Sequence, residues 1–201
     1  MNVIDAIYNR RAVKHFDPNH EMSGEEERKL FETMIQAPTS FNIQHWRFVV
    51  LRDPALRTKI RQEFGNDQSQ ITDASLLVLF TADVMAWKKE PQRYWQNAPQ
   101  EVSDLLVGWM GPFHEGREWL QRDEAQRSIG MAMQTLMLAS QELGYQSCPM
   151  IGFDIDKVAE LIKLPEDHAM GPLVAIGKGT KDPWPKPGQL SLDELVFENS
   201  F

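Results

Sequence analysis

The chain has one cysteine, Cys148, in 201 residues. No internal disulfide can form, so a reducing compartment is the economical expectation. Long apolar runs are missing as well: none approaches the ~18 residues that a membrane-spanning helix needs. Acidic Asp5 stands where a signal peptide would be apolar, so the expected location is cytoplasmic, with no membrane partner. Positive charge is scarce. Lys and Arg number 21 against 29 Asp and Glu, a formal net charge of −8, which argues against nucleic acid as a partner. There is no Gly-x-Gly-x-x-Gly or P-loop to cradle a dinucleotide or triphosphate, and no Gly-x-Ser-x-Gly elbow. The five histidines show no paired ligand spacing, so no metal is expected.

What is present has ordinary globular proportions, 42% hydrophobic and 25% charged. No repeat or linker divides the chain, so residues 1–201 are expected to form one domain. Val3, Ile4 and Ile7 predict a short first helix. Ser23-Gly24-Glu25-Glu26 has the form of a capping box, and Pro38 should end the helix that follows. Asp53-Pro54 reads as N-cap and first position of another helix. Strands are expected at 47–51, at the apolar run 75–81, and at 173–177. Helical spacing from Val102 to Met110 should stop at Gly111-Pro112. The stretch 83–123 holds four of the six tryptophans; it reads either as a surface helical pair or as an aromatic excursion over a flat ligand's pocket. Residues 124–143 predict the longest helix, apolar or small on nearly every side, hence buried all round or in a subunit interface. A short helix is expected over 156–164. Pro183, Pro185 and Pro187 enforce an extended segment, and the apolar tail 194–201 should dock on something.

Three groups carry candidate chemistry. Arg10, Arg11 and Lys14 could hold a dianionic phosphate, with Lys186 completing the site; equally, they could only complement the dipole of the first helix. Thr39, Ser40, Asn42 and Gln44, leaving Pro38, can donate and accept along a polar ligand, or simply form a turn. In the segment Ser147 to Gly152, Pro149 and Gly152 bracket an irregular stretch whose backbone N–H groups could face a ligand. Cys148 within it reads as a small core residue rather than a nucleophile.

In this order the groups resemble the nitroreductase family over almost the whole chain. The blocks that carry the likeness are Arg-Arg-x-x-Lys at 10–14, APTSFNIQHWRFVV at 37–50 and AMQTLMLASQELGYQSCPMIGF at 132–153. ITDASLLVLF, the late LVAIGKG and Lys186 support them. The resemblance implies an α+β fold with a central mixed or antiparallel sheet flanked by helices, in an intertwined homodimer. It implies FMN at the subunit interface and NADH or NADPH as co-substrate, with electrons passed in a ping-pong sequence to flat acceptors such as nitroaromatics or quinones.

Carried over by position, Arg10, Arg11 and Lys186 would meet the phosphate. Lys14 would approach the pyrimidine edge, with Ala12 beside it. Pro38, Thr39, Ser40 and Asn42 would line the cofactor, and Pro149, Met150, Ile151 and Gly152 would pass along its ring. Asp67 and Gln70 are the expected polar contacts before the second strand, with Gln68 as the alternative match. From aromatic character and position, Phe41, Trp109 and Phe113 are expected to wall the substrate slot. No protein residue is required as catalytic acid or base, since the flavin carries the chemistry. The chain departs from the family pattern at Ala12, where serine is frequent, at Gly188, where an arginine is expected, and at Ile151, which is glutamate in some members. Flavin holding without turnover, or a same-fold dehalogenase or flavin-cleaving enzyme, are the alternative functions.

Overall fold

The computed structural model describes residues 2–201. A four-stranded sheet of order β1-β2-β4-β3 is antiparallel throughout: β1 Trp46–Val50, β2 Leu76–Asp83, β3 Gln146–Met150 and β4 His168–Gly177. Every residue of β2 is buried, because it is central and both of its faces are covered. Leu76, Val78, Phe80 and Ala82 face helices α2 (Gly24–Met34) and α6 (Glu118–Glu142), meeting Leu30, Met34, Ile129 and Leu136. Leu77 and Leu79 face the other way, onto Val13, Phe16, Ile60, Ile71 and Val158. That period of two, with apolar partners on both sides, makes the run read as continuously hydrophobic.

The remaining helices are α1 Val3–Asn9, α3 Pro54–Lys59, α4 Gln70–Asp73, α5 Gln100–His114, α7 Ile155–Leu161 and α8 Leu192–Leu195. The expected caps are in place. Ser23 and Glu26 close a reciprocal capping box, and Asp53 accepts from the N–H of Ala55 ahead of Pro54. The fold is therefore α+β. No helix among the described residues is long and apolar enough to cross a membrane.

Three expected boundaries need correction. Helix α5 does not stop at Gly111-Pro112 but runs through both to His114. Pro112 lies near the end of the helix, where one lost N–H is tolerated, and packing of Met110 and His114 holds the final turn. Helix α6 begins at Glu118, not 124, because Glu118 to Asp123 continues its turn with Leu120 and Gln121 buried. In one chain α6 is not buried all round: Gly130, Met131 and Gln134 are exposed. Residues 147–150 are not irregular. They belong to edge strand β3, which takes in Pro149 and Met150 of the expected irregular stretch and leaves only Ile151 and Gly152 outside it; an edge is where a strand tolerates Pro149. The apolar tail is exposed in one chain, with no buried residue in α8.

Candidate functional site

The amino-terminal arm is laid along the open edge of β3. Val13 donates its N–H to the Ser147 carbonyl at 3.1 Å, and Ala12 bridges Ser147 in parallel sense. Phe16 bridges Gly179, Asp17 N–H reaches the Lys178 carbonyl at 2.8 Å, and Thr180 N–H reaches the His15 carbonyl at 2.9 Å. Val13 and Phe16 point into the core. Phe16 is seated because Gly177 has no Cβ: one would stand 3.0 Å from its ring. The arm thus joins the two ends of the sequence, which explains how cations from residues 10–14 meet a segment near residue 186.

Between the arm and the proline strap lies a cavity of about 340 Å³, lined by Arg10, Arg11, Ala12, Lys14 and His15 on one side and by Lys181 to Pro187 on the other. Arg10, Arg11, Lys14 and Lys186 form no ion pair with a carboxylate among the described residues. Arg10 Nη1 is buried with no hydrogen-bond partner. Arg11 Nη1 is spent on the carbonyls of Tyr8 and Arg10, at 2.7 and 3.0 Å. Lys14 Nζ stands 5.1 Å from the Trp184 ring centre, and Lys186 Nζ 5.8 Å from that of Tyr8. A buried guanidinium N–H without an acceptor is costly unless a ligand supplies one. The donor set suits a phosphate.

Behind the arm, Cys148 is buried, and burial pushes its thiol above the ordinary range against the opposing pull of Gln70, Lys14 and Arg10. A neutral thiol is a poor nucleophile. The loop before α4 closes on the end of β3: Gln68 Nε2 and Asn66 Nδ2 donate to the Gly152 carbonyl at 2.8 and 3.0 Å. Asp67 is paired with Arg61 at 2.7 Å, and Gln70 is buried with its amide 3.9 Å from Cys148 Sγ. Of the three polar side chains weighed for this loop, Gln68 reaches furthest toward the 149–152 segment. Met150 is buried and Ile151 exposed.

The polar turn lies elsewhere. Pro38, Thr39, Ser40 and Asn42 do not line the cationic cavity of their own chain. Phe41, Asn42 and Gln44 all adopt positive φ, of 50°, 55° and 54°, which costs about 1–2 kcal/mol per non-glycine residue. Thr39 Oγ1 accepts from Gln44 N–H at 2.9 Å, and Asn42 Nδ2 donates to the Tyr94 carbonyl at 2.8 Å. Phe41, Trp109 and Phe113 do come together: with Pro112 and Arg117 they line a second open cavity, the Phe41 and Phe113 ring centres being 5.2 Å apart. The candidate residues therefore fall into two groups, a cationic one and an aromatic one, which share no cavity within one chain.

Asp83, Asp167 and His168 also converge, but Lys89 Nζ sits between the two carboxylates at 2.8 and 2.6 Å and supplies their cation. Sequence reasoning missed Trp184 and His15 at the cationic cavity. The Pro-Trp-Pro-Lys-Pro spacing held the signal for the first, since a stiff strap presents its aromatic side chain as firmly as its lysine.

Residues 7–178 match a family profile described as the Nitroreductase family. The protein DrgA of Synechocystis sp. is 62% identical over 201 residues, covering 98% of this chain and 95% of that one. The Bacillus subtilis protein named "Putative NAD(P)H nitroreductase MhqN" is 28% identical over 86% of each chain. Among solved structures, one described as "a putative nitroreductase in complex with FMN" from Exiguobacterium sibiricum superposes with a TM-score of 0.90 at 23% identity, covering 99% and 98% of the two chains.

Proposed function

Because this chain belongs to the nitroreductase family, we propose that it is a homodimeric, FMN-dependent oxidoreductase that takes electrons from NADH or NADPH and gives them to quinones or nitroaromatics. The carrying observation is the cluster of five cations, Lys181 among them, with no ion pair to a carboxylate among the described residues around one cavity, with Arg10 Nη1 buried and unmatched. FMN, when bound, would supply hydride transfer in both half-reactions of a ping-pong cycle. This chain's residues supply place and field. Arg10, Arg11 and Lys186 hold the phosphate end, and Lys14 sets a positive charge beside the ring edge, favouring the electron-rich state of the ligand. Ala12, Gln68 and the 149–152 segment flank the ring, and Asp67 and Gln70 support that flank from behind.

Pro38, Thr39, Ser40 and Asn42 contact the cofactor from the partner subunit. This assignment accounts for their absence from the cationic cavity of their own chain. It also brings Phe41, Trp109 and Phe113 over the ring as the wall of a slot that excludes water and admits flat acceptors. Residues 1–201 act as one domain, with 83–123 as its substrate-side excursion, in the cytoplasm.

The test is a visible spectrum of the purified protein, then NADH or NADPH under argon, then a quinone. Yellow protein that bleaches with a nicotinamide and recolours with the quinone supports the proposal. A yellow protein that neither nicotinamide bleaches would be a flavin holder, and a colourless one with no calorimetric response to FMN would end the reading.

A further inference from the structure

His114 ends helix α5, the element that carries Trp109 and Phe113, and it is fully buried. Its Nδ1 lies 2.8 Å from the Met110 carbonyl. A carbonyl only accepts, so Nδ1 bears the proton and Nε2 is a bare lone pair, buried with no partner among the described residues. The ring lies nearly parallel to Trp87, 10° between planes and 5.5 Å between centres. On its other sides it meets Phe113 edge-on at 5.0 Å and Phe41 at 5.9 Å. The backbone is pinned too, since Gln121 Nε2 of α6 donates to the His114 carbonyl at 2.8 Å.

His45 makes the matching connection for the loop. It is fully buried, and its Nδ1 is 3.1 Å from Ser128 Oγ, which itself donates to the Glu124 carbonyl on α6. One imidazole thus ties the strained 41–44 turn to α6, and the other ties the end of α5 to Trp87 and α6. Neither touches the cationic cavity.

We propose that His114 is a positioning residue for the acceptor slot: its flat ring, clamped between Trp87 and the two phenyls, fixes the spacing of Phe41 and Phe113 and so decides which flat acceptors fit. This rests on the reading of that slot as the substrate wall. An aromatic contact of this kind is worth enough to set selectivity, because edge-to-face and stacked pairs stabilise beyond their buried area.

The experiment uses the FMN-loaded enzyme and menadione, a flat bicyclic quinone. In His114→Leu, the KM for menadione should rise about fivefold, the size expected for losing one such aromatic contact. The kcat should stay within about twofold, the pattern of lost binding rather than lost chemistry. The menadione Kd, read from quenching of tryptophan fluorescence, should rise by the same factor, while flavin content per subunit is unchanged. His114→Phe, which restores a flat ring on Trp87, should recover the wild-type KM. Should His114→Leu fail to fold, Trp87→Leu removes the platform from the other side and reads the same split. Unchanged KM and Kd would overturn the inference, as would a joint fall of kcat, affinity and flavin content. A wild-type enzyme that holds flavin yet reduces no quinone is instead a failure of the functional reading, seen before any variant is made.

Discussion

Individual side chains in this protein are placed by what they cannot leave unpaired. Arg10 is the clearest case: its buried Nη1 lacks an acceptor, and Arg11, Lys14, Lys181 and Lys186 around the same cavity outnumber its one carboxylate, Asp182. Arg10→Ala should therefore release FMN on gel filtration, whereas Lys14→Ala should keep it and lower the reduction potential measured by dye equilibration. If both variants bind flavin like wild type with the potential unchanged, the site is elsewhere.

The buried imidazoles give a pH dependence with a definite sign. Burial, the neighbouring His114 and, less strongly, Arg47 hold His45 down to about 4 from an ordinary 6.5, against the opposing pull of Asp83. Burial lowers His114 also, with the Met110 carbonyl and Glu124 opposing and Arg117 assisting. Both groups bind protons less readily folded than unfolded. Their neutral state costs nothing above the unfolded value of 6.5, and stability is lost as pH falls from there toward about 4. Denaturant midpoints should fall over that interval, and less steeply in His45→Phe; a flat profile in the wild-type protein would refute the assignment. The basic and polar groups could be picked out from the sequence, because fixed charge in an acidic chain stands out. The commitments of Asn42 to Tyr94 and of Asp67 to Arg61 could not, because those partners are set by tertiary contacts.

At the scale of elements, local chemistry placed most boundaries. The Ser23 capping box, the Asp53-Pro54 start and the period-two burial of β2 each follow from short-range rules. Two of the failures share one cause. Pro112 looked like a stop and Pro149 looked like irregular chain, yet α5 is held to its last turn by His114, and β3 is an edge strand needing hydrogen bonds on one side only. Where packing supplies the energy, a proline marks a weak point and not an end. The join between the arm and β4 depends on close approach at Gly177, where a Cβ would stand 3.0 Å from Phe16 and 3.2 Å from the Ser75 nitrogen. Gly177→Ala should cost about 1–3 kcal/mol in urea unfolding, the usual range for overpacking. It should also weaken FMN binding through displacement of the arm. A destabilised variant with unchanged FMN affinity would show that the arm's seat does not control the site.

At the scale of the whole molecule, one chain leaves much apolar surface uncovered. Val3, Ile4, Ile7 and Tyr8 on α1, Trp109 on α5, Met131 on α6 and Leu192, Leu195, Val196, Phe197 and Phe201 in the tail are all exposed. Apolar surface on that scale marks an interaction face. In the proposed homodimer a second copy would cover it and would bring the aromatic group to the cationic one. Sedimentation should find a dimer, and removal of residues 190–201 should give a species that dissociates on dilution and loses flavin. A truncated chain that stays dimeric and yellow would place the contact elsewhere.

The amino-acid order by itself located the capped starts of α2 and α3, the central strand and the basic residues at 10–14 and 186, since each is written in spacing over a few residues or in fixed charge; the α+β class came only through the family resemblance. It also carried the likeness to the family. Only the tertiary structure decided that residues 10–16 lie against β3 and the strap, that β3 is a strand at all, that His45 meets Ser128 and that His114 packs on Trp87 and Phe41. Those are contacts between segments tens to more than a hundred residues apart. Closing such separations is driven by burial of the whole core, which no local pattern encodes.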